Sequence, residues 1–222
     1  MRLSHLILAA AALIAGSAFA TPADPKSGAE YQTLGTPQTT QAAGKSIEVI
    51  EFFMYHCPAC NAFEPALLDW VKKQGANITF RRIHIPHLEQ NDPEAHLFLT
   101  LDAMQIENAM HAKVLHTWHV EHRRLKDDAD NLDWAIKNGL DKDKFLAAYN
   151  SFGVMAKLRG LNRMTGNYQV DSTPTLVVDG RYLTNPSMVE EANRASVTRE
   201  NAFAATFQVL EALAASARKA QH

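Results

Sequence analysis

The sequence predicts an α/β fold in two halves, a βαβ unit and a ββα unit, with an all-helical domain inserted between them. Three observations carry this. Ile47 to Tyr55 is an apolar run rich in β-branched and aromatic residues, followed by apolar residues at helical spacing and a second such run, Ile78 to Ile85. Residues 91–165 show no strand pattern. Thr175-Leu176-Val177-Val178, a tight Asp179-Gly180 turn and Arg181-Tyr182-Leu183 then read as a β-hairpin before an amphipathic closing segment.

Taken in order, residues 1–20 have the layout of a secretory signal: basic Arg2, an apolar run from Leu6 to Ala15, and the small-residue site Ala18-Phe19-Ala20, with cleavage expected before Thr21. The apolar stretch is short for a membrane span. Without it, 21 basic residues face 24 acidic ones, a net charge of −3. A nearly neutral chain with no basic run argues against nucleic acid as partner, because duplex binding rests on neutralising many phosphates. The 202 residues that follow suffice for a proper core.

Residues 21–45 read as an extension in which only Tyr31 to Leu34 is strand-like. The thioredoxin-like part is expected over residues 46–90 and 166–222, and the helical insert over 91–165. In the first half, Phe63, Leu67, Leu68 and Val71 mark a helix that Pro65 should bend and that Lys72, Lys73 and Gly75 should end. Within the insert, helices are expected from Asp92-Pro93, around Ala109 to His122, after Asp128, and from Asp141 onward, with Asp92 and Asp141 as N-caps. Phe203, Phe207, Leu210 and Leu213 give the closing helix, from about Ser196 to Ala220, an apolar face. Trp70, Trp118 and Trp134 are expected in the core.

The chain has two cysteines, Cys57 and Cys60, only three positions apart. A bridge across so short a loop removes little unfolded-chain entropy, so stapling explains it poorly. Redox chemistry in an oxidising compartment explains it better. A strand feeding a helix through Cys57-Pro58-Ala59-Cys60 puts Cys57 at a helix start, where free backbone N–H groups favour a thiolate. Pro58 suits the first helical position. Cys57 is then the exposed sulfur that exchanges with substrate, and Cys60 the more buried resolving thiol of higher pKa. Zinc would need two further ligands, and no second C-x-x-C exists. Asn61 stands where haem attachment requires His.

Around this motif, Glu51 interrupts the apolar strand, and buried there it is a candidate proton acceptor for Cys60. The alternative is a solvated acid near a sheet edge. Glu64, seven residues after Cys57, either tunes the thiols or is a solvated helix acid. His56 either supports the thiolate or points away. Thr173-Pro174, opening the Thr175 strand, is compatible with a tight turn, cis or trans, that offers backbone groups to a substrate peptide. His111, His116, His119 and His122 crowd one stretch and are read as an exposed polar face in preference to a metal site.

These residues resemble the periplasmic DsbA disulfide oxidases over nearly the whole chain after the leader. The resemblance runs through Tyr31-Gln32-Thr33-Leu34 with Pro37, Val49-Ile50-Glu51-Phe52-Phe53 leading to Cys57-Pro58-Ala59-Cys60 with Phe63-Glu64, and Ala147-Ala148-Tyr149-Asn150-Ser151-Phe152. It continues in Thr173-Pro174, Val178-Asp179-Gly180-Arg181-Tyr182 and Asn185-Pro186. It implies a thioredoxin fold with a helical insert, a monomer without cofactor, oxidation of newly exported proteins bearing free cysteines, and reoxidation by a DsbB-like membrane quinone reductase. Glu51 falls on the family's buried acid, and Pro186 in the loop bordering its substrate groove. Ala59 stands where the best-known members carry His, and Thr173 where many carry Val. The alternatives are a periplasmic reductase or isomerase on the same scaffold, and a metal-binding chaperone using Cys57, Cys60 and a histidine.

Overall fold

The structure is a computed structural model that describes residues 21–87 and 91–221. The leader expected over residues 1–20 lies outside them. Strands β1 (Gln32–Thr33), β2 (Ile47–Phe53), β3 (Ile78–His84), β4 (Thr175–Val178) and β5 (Tyr182–Thr184) form one mixed sheet in the order β1-β5-β4-β2-β3. β2 runs parallel to β3 and antiparallel to β4. It is interior to the sheet and buried at every position, as its unbroken apolar run requires.

Helix α1 (Pro58–Gln74) connects β2 to β3; it runs on through Pro65 and stops at Gly75, whose φ of 55° few other residues tolerate. Between β3 and β4 lie α2 (Pro93–Ala103), α3 (Glu107–His119), α4 (Asp128–Lys137), α5 (Lys142–Tyr149) and α6 (Phe152–Asn167). Asp92, Asp127 and Asp141 cap α2, α4 and α5 through their carboxylates. The single helix expected from Asp141 is two helices, because Ser151 Oγ accepts the Val154 N–H at 3.2 Å and starts α6 anew. A helix not expected, α7 (Pro186–Ala192), begins where Asn185 Oδ1 accepts the Met188 N–H at 2.8 Å and Pro186 occupies the first helical position. The closing helix α8 (Ala202–Ala220) starts six residues later than expected. No helix among the described residues is long and apolar enough to cross a membrane.

The two faces of the sheet bury different partners. Ile47 and Val49 pack with Phe63, Leu67 and Trp70 of α1 and with Val209, Leu210 and Leu213 of α8. Ile50 and Phe52 join a cluster drawn largely from the insert, including Leu97, Leu115, Trp134, Phe145 and Leu161. At about 1.5–3 kcal/mol per fully buried large apolar side chain, both clusters anchor β2 firmly. The residues between β2 and α1 are therefore held by packing on two sides.

Candidate active site

The apolar run of β2 ends at Phe53, and four residues later Cys57 becomes the N-cap of α1. Its backbone is extended (φ −74°, ψ 115°), and its sulfur accepts the Cys60 N–H at 3.3 Å. Pro58 and Ala59 are exposed. Opposite them the Thr173–Pro174 peptide is cis. The Cys57 thiol donates to the Thr173 carbonyl at 3.6 Å. Both cysteines are free thiols. Cys57 is 8% exposed and Cys60 2%. The expected ranking thus appears within a narrow margin, and Cys57 is nearly covered where an open sulfur was expected.

The two thiols differ sharply in acidity. A hydrogen bond from the Cys60 thiol, opposed by burial and aided by the Thr173 side chain and the Cys60 and Ala59 backbone N–H groups, lowers Cys57 from 9.0 to about 5. The same bond, burial, and the negative charges of Cys57 and Glu51 push Cys60 well up. Ala59 thus contributes through its backbone, with no help from its side chain.

His56 is fixed by Glu94, whose oxygens lie 2.8 and 2.9 Å from Nδ1 and accept the His56 backbone N–H at 3.0 Å. That hydrogen bond, outweighing burial, raises His56. Burial alone would raise Glu94, but hydrogen bonds with His56 and His84 hold it at about 2. Trp118, expected in the core, is only half-buried and packs its ring 6.0 Å from that of His56.

Beneath the thiols lies a buried charge cluster. Glu51 is interior to the sheet, not at an edge, and accepts Arg82 Nε at 3.0 Å from the adjacent register position on β3. Glu64 is no solvated helix acid: it is 6% exposed and accepts Arg82 Nη2 at 2.7 Å. His111 does not belong to an exposed polar face either. It is buried, with Nδ1 2.7 Å from Glu107 and Nε2 3.6 Å from Glu64. His116 and His122 are exposed, whereas the His119 Nε2 lies 2.8 Å from the Tyr55 carbonyl. Burial, offset by Arg82 and reinforced by Glu64, raises Glu51 to about 7. Pro186 is buried at the start of α7 and is not part of a loop.

Arg82, Glu94, Glu107 and the burial of His111 escaped the sequence reading. One signal was available: Arg81-Arg82 inside a strand next to an apolar strand holding Glu51 is a charge that needs a buried partner. No comparable signal marked Glu94 or Glu107, which reach the site from the insert.

A thiol pair of split acidity at a helix start, set against a cis-proline turn on a thioredoxin-like sheet, defines a thiol:disulfide oxidoreductase. Comparison with known proteins agrees: the family model described as the DSBA-like thioredoxin domain matches residues 48–200. The chain is 36% identical over 186 residues to the thiol:disulfide interchange protein DsbA of Burkholderia cepacia, covering 84% of this chain and 88% of that protein. It is 37% identical over 161 residues to DsbA of Pseudomonas aeruginosa, covering 72% and 75%. The crystal structure of Pseudomonas aeruginosa DsbA superposes with a TM-score of 0.75 at 31% identity, over 89% of this chain and 97% of that one. The chain belongs to the DsbA family, and its activity is that of a dithiol oxidase.

Proposed function

We propose that this oxidase acts in the periplasm on exported proteins that are still folding, with Cys57 as the exchanging sulfur and Cys60 as the resolving one. A substrate thiolate attacks the Cys57 sulfur of the Cys57–Cys60 disulfide, and Cys60 leaves with the electron pair and takes up a proton. The second substrate thiolate then attacks the substrate sulfur of the mixed disulfide. The new substrate disulfide departs, and Cys57 is released as a thiolate. Two electrons and one proton have moved to the enzyme, the second proton passing to solvent, and a DsbB-like membrane quinone reductase would withdraw the electrons.

The observation that carries this direction is the split in acidity. A Cys57 thiolate stabilised to about 5 favours the dithiol form, and a protein that prefers to be reduced drives others to disulfides. Glu51 is the proton acceptor for Cys60 when Cys60 attacks a mixed disulfide at Cys57, as in reoxidation, and Thr173 and Pro174 present backbone to an extended substrate. Residues 46–90 and 166–222 carry the chemistry as a monomer. The insert of 91–165 completes the surroundings through Glu94, Glu107 and His111. Equilibration with glutathione tests the reading: the Cys57–Cys60 couple should be far more oxidising than thioredoxin at about −270 mV. A potential near that of thioredoxin would overturn it.

A further inference from the structure

Five ionisable side chains cluster beneath the dithiol: Glu51 on β2, Glu64 on α1, Arg82 on β3 and His111 on α3 are buried, and Glu107 on α3 is half-buried beside them. Three carboxylates thus face two cations. Burying an uncompensated charge is costly, so with both cations charged the three carboxylates are expected to retain one proton. Geometry selects its place. Glu64 and Glu107 each approach Arg82 and His111, at 2.7 and 3.6 Å for Glu64 and at 3.6 and 2.7 Å for Glu107. Glu51 pairs with Arg82 alone, at 3.0 Å. Around the cluster stand Asn108, whose Oδ1 accepts from Arg82 at 3.3 Å, and the Tyr55 ring, 5.3 Å from that of His111. The Tyr55 hydroxyl and Glu64 Oε2 are buried without a hydrogen-bond partner among the described residues. Removing one charge from so closely set a cluster should shift its proton content.

We propose that His111 is a positioning residue for the thiol chemistry: its positive charge, clamped between Glu64 and Glu107, confines the cluster's single proton to Glu51, where it can be exchanged with Cys60. The proposal rests on Glu51 acting as the proton acceptor of Cys60. In the step at issue, Cys60 gives its proton to ionised Glu51 and its sulfur attacks the Cys57 sulfur of a mixed disulfide. The electron pair of the broken S–S bond leaves with the partner thiolate. Burial and the nearby Arg82 charge lower His111, but Glu107 and Glu64 more than offset them and raise it, which favours the imidazolium. Without that charge a second proton enters the cluster, and Glu51 is no longer ionised often enough to serve as a base.

The test is a double-mixing stopped-flow measurement on the full-length mature protein. A Cys57–glutathione mixed disulfide is formed at low pH, the pH is jumped, and glutathione release by Cys60 is followed across the pH range. His111→Gln should move the rising limb up by about one pH unit and slow release at pH 7 about fivefold, as expected for a base shifted from about 7 to about 8. The Cys57 thiolate absorbance titration should stay in place, and His111→Lys should restore the limb. Glu51→Gln should abolish the limb. If Glu51→Gln abolishes it while His111→Gln leaves it unmoved, the role of His111 is wrong and that of Glu51 stands. If Glu51→Gln leaves the limb intact, Glu51 is not the acceptor and the inference falls with it. Should His111→Gln fail to fold, nitrogen NMR of the parent protein decides: a neutral His111 ring at pH 6 refutes the proposal.

Discussion

The acidity of Cys57 is assembled almost entirely from groups that any side chain at position 59 would leave in place: the Cys60 thiol, the Thr173 side chain and two backbone N–H groups. An exposed Ala59 is thus compatible with a stabilised thiolate, and a histidine there would add to it. Ala59→His is expected to make the couple more oxidising by about 30 mV, a tenfold change in the glutathione equilibrium, without loss of fold stability because position 59 faces solvent. Redox titration of the two proteins side by side checks it; an unchanged equilibrium would mean that the second interior residue of the motif has no electrostatic reach to Cys57. Thr173 has a comparable reach from the other side, since its carbonyl lies against the sulfur and its side chain favours the thiolate.

At the level of elements, the turn between β4 and β5 is the most demanding. Asp179 and Gly180 both adopt left-handed backbone, a Cβ on Gly180 would collide with the Gln38 carbonyl, and the Gln38 backbone N–H donates to the Gly180 carbonyl at 2.8 Å. Gly180→Ala should destabilise the protein by roughly 1–3 kcal/mol, read as a lower urea midpoint, and loosen the chain before β2. That turn was legible in the sequence because Asp-Gly between two apolar runs has a local cause. So were β2, α1 and the caps at Asp92 and Asp141, each written within a few residues. What was not legible depends on meetings between distant segments. Ser151 looks no different as a helix interior residue until its hydroxyl turns back as a cap. Asn185-Pro186 suits a loop as well as the start of α7. Glu64 and His111 look solvated until Arg82, 18 and 29 residues away in sequence, is folded between their elements. The catalytic motif was readable for the opposite reason, since its chemistry is written within four consecutive residues.

For the molecule as a whole, the redox state and the stability of the fold are linked. In the dithiol protein Cys57 is depressed from 9.0 to about 5, so its contribution to stability is fully present above pH 9 and is lost as pH falls through 5. Cys60 is raised, so its contribution is full below its ordinary value and wanes only at higher pH. The reduced protein should therefore gain stability over the disulfide form between pH 5 and 8, by at most about 1.4 kcal/mol per pH unit, and show no further change below pH 5. Urea unfolding of both forms across that range measures it, and a flat difference between pH 5 and 8 would contradict the acidity assigned to Cys57. The near-complete cover over the Cys57 sulfur has a further effect. On the function proposed above, a substrate sulfur has to reach Cys57 past Pro58, Ala59 and the Thr173 carbonyl, which a loosely held stretch of chain does more readily than a compacted surface. On that same proposal, the enzyme would sample how unfinished its client is more than what the client's sequence says, and each client would end its own treatment by folding.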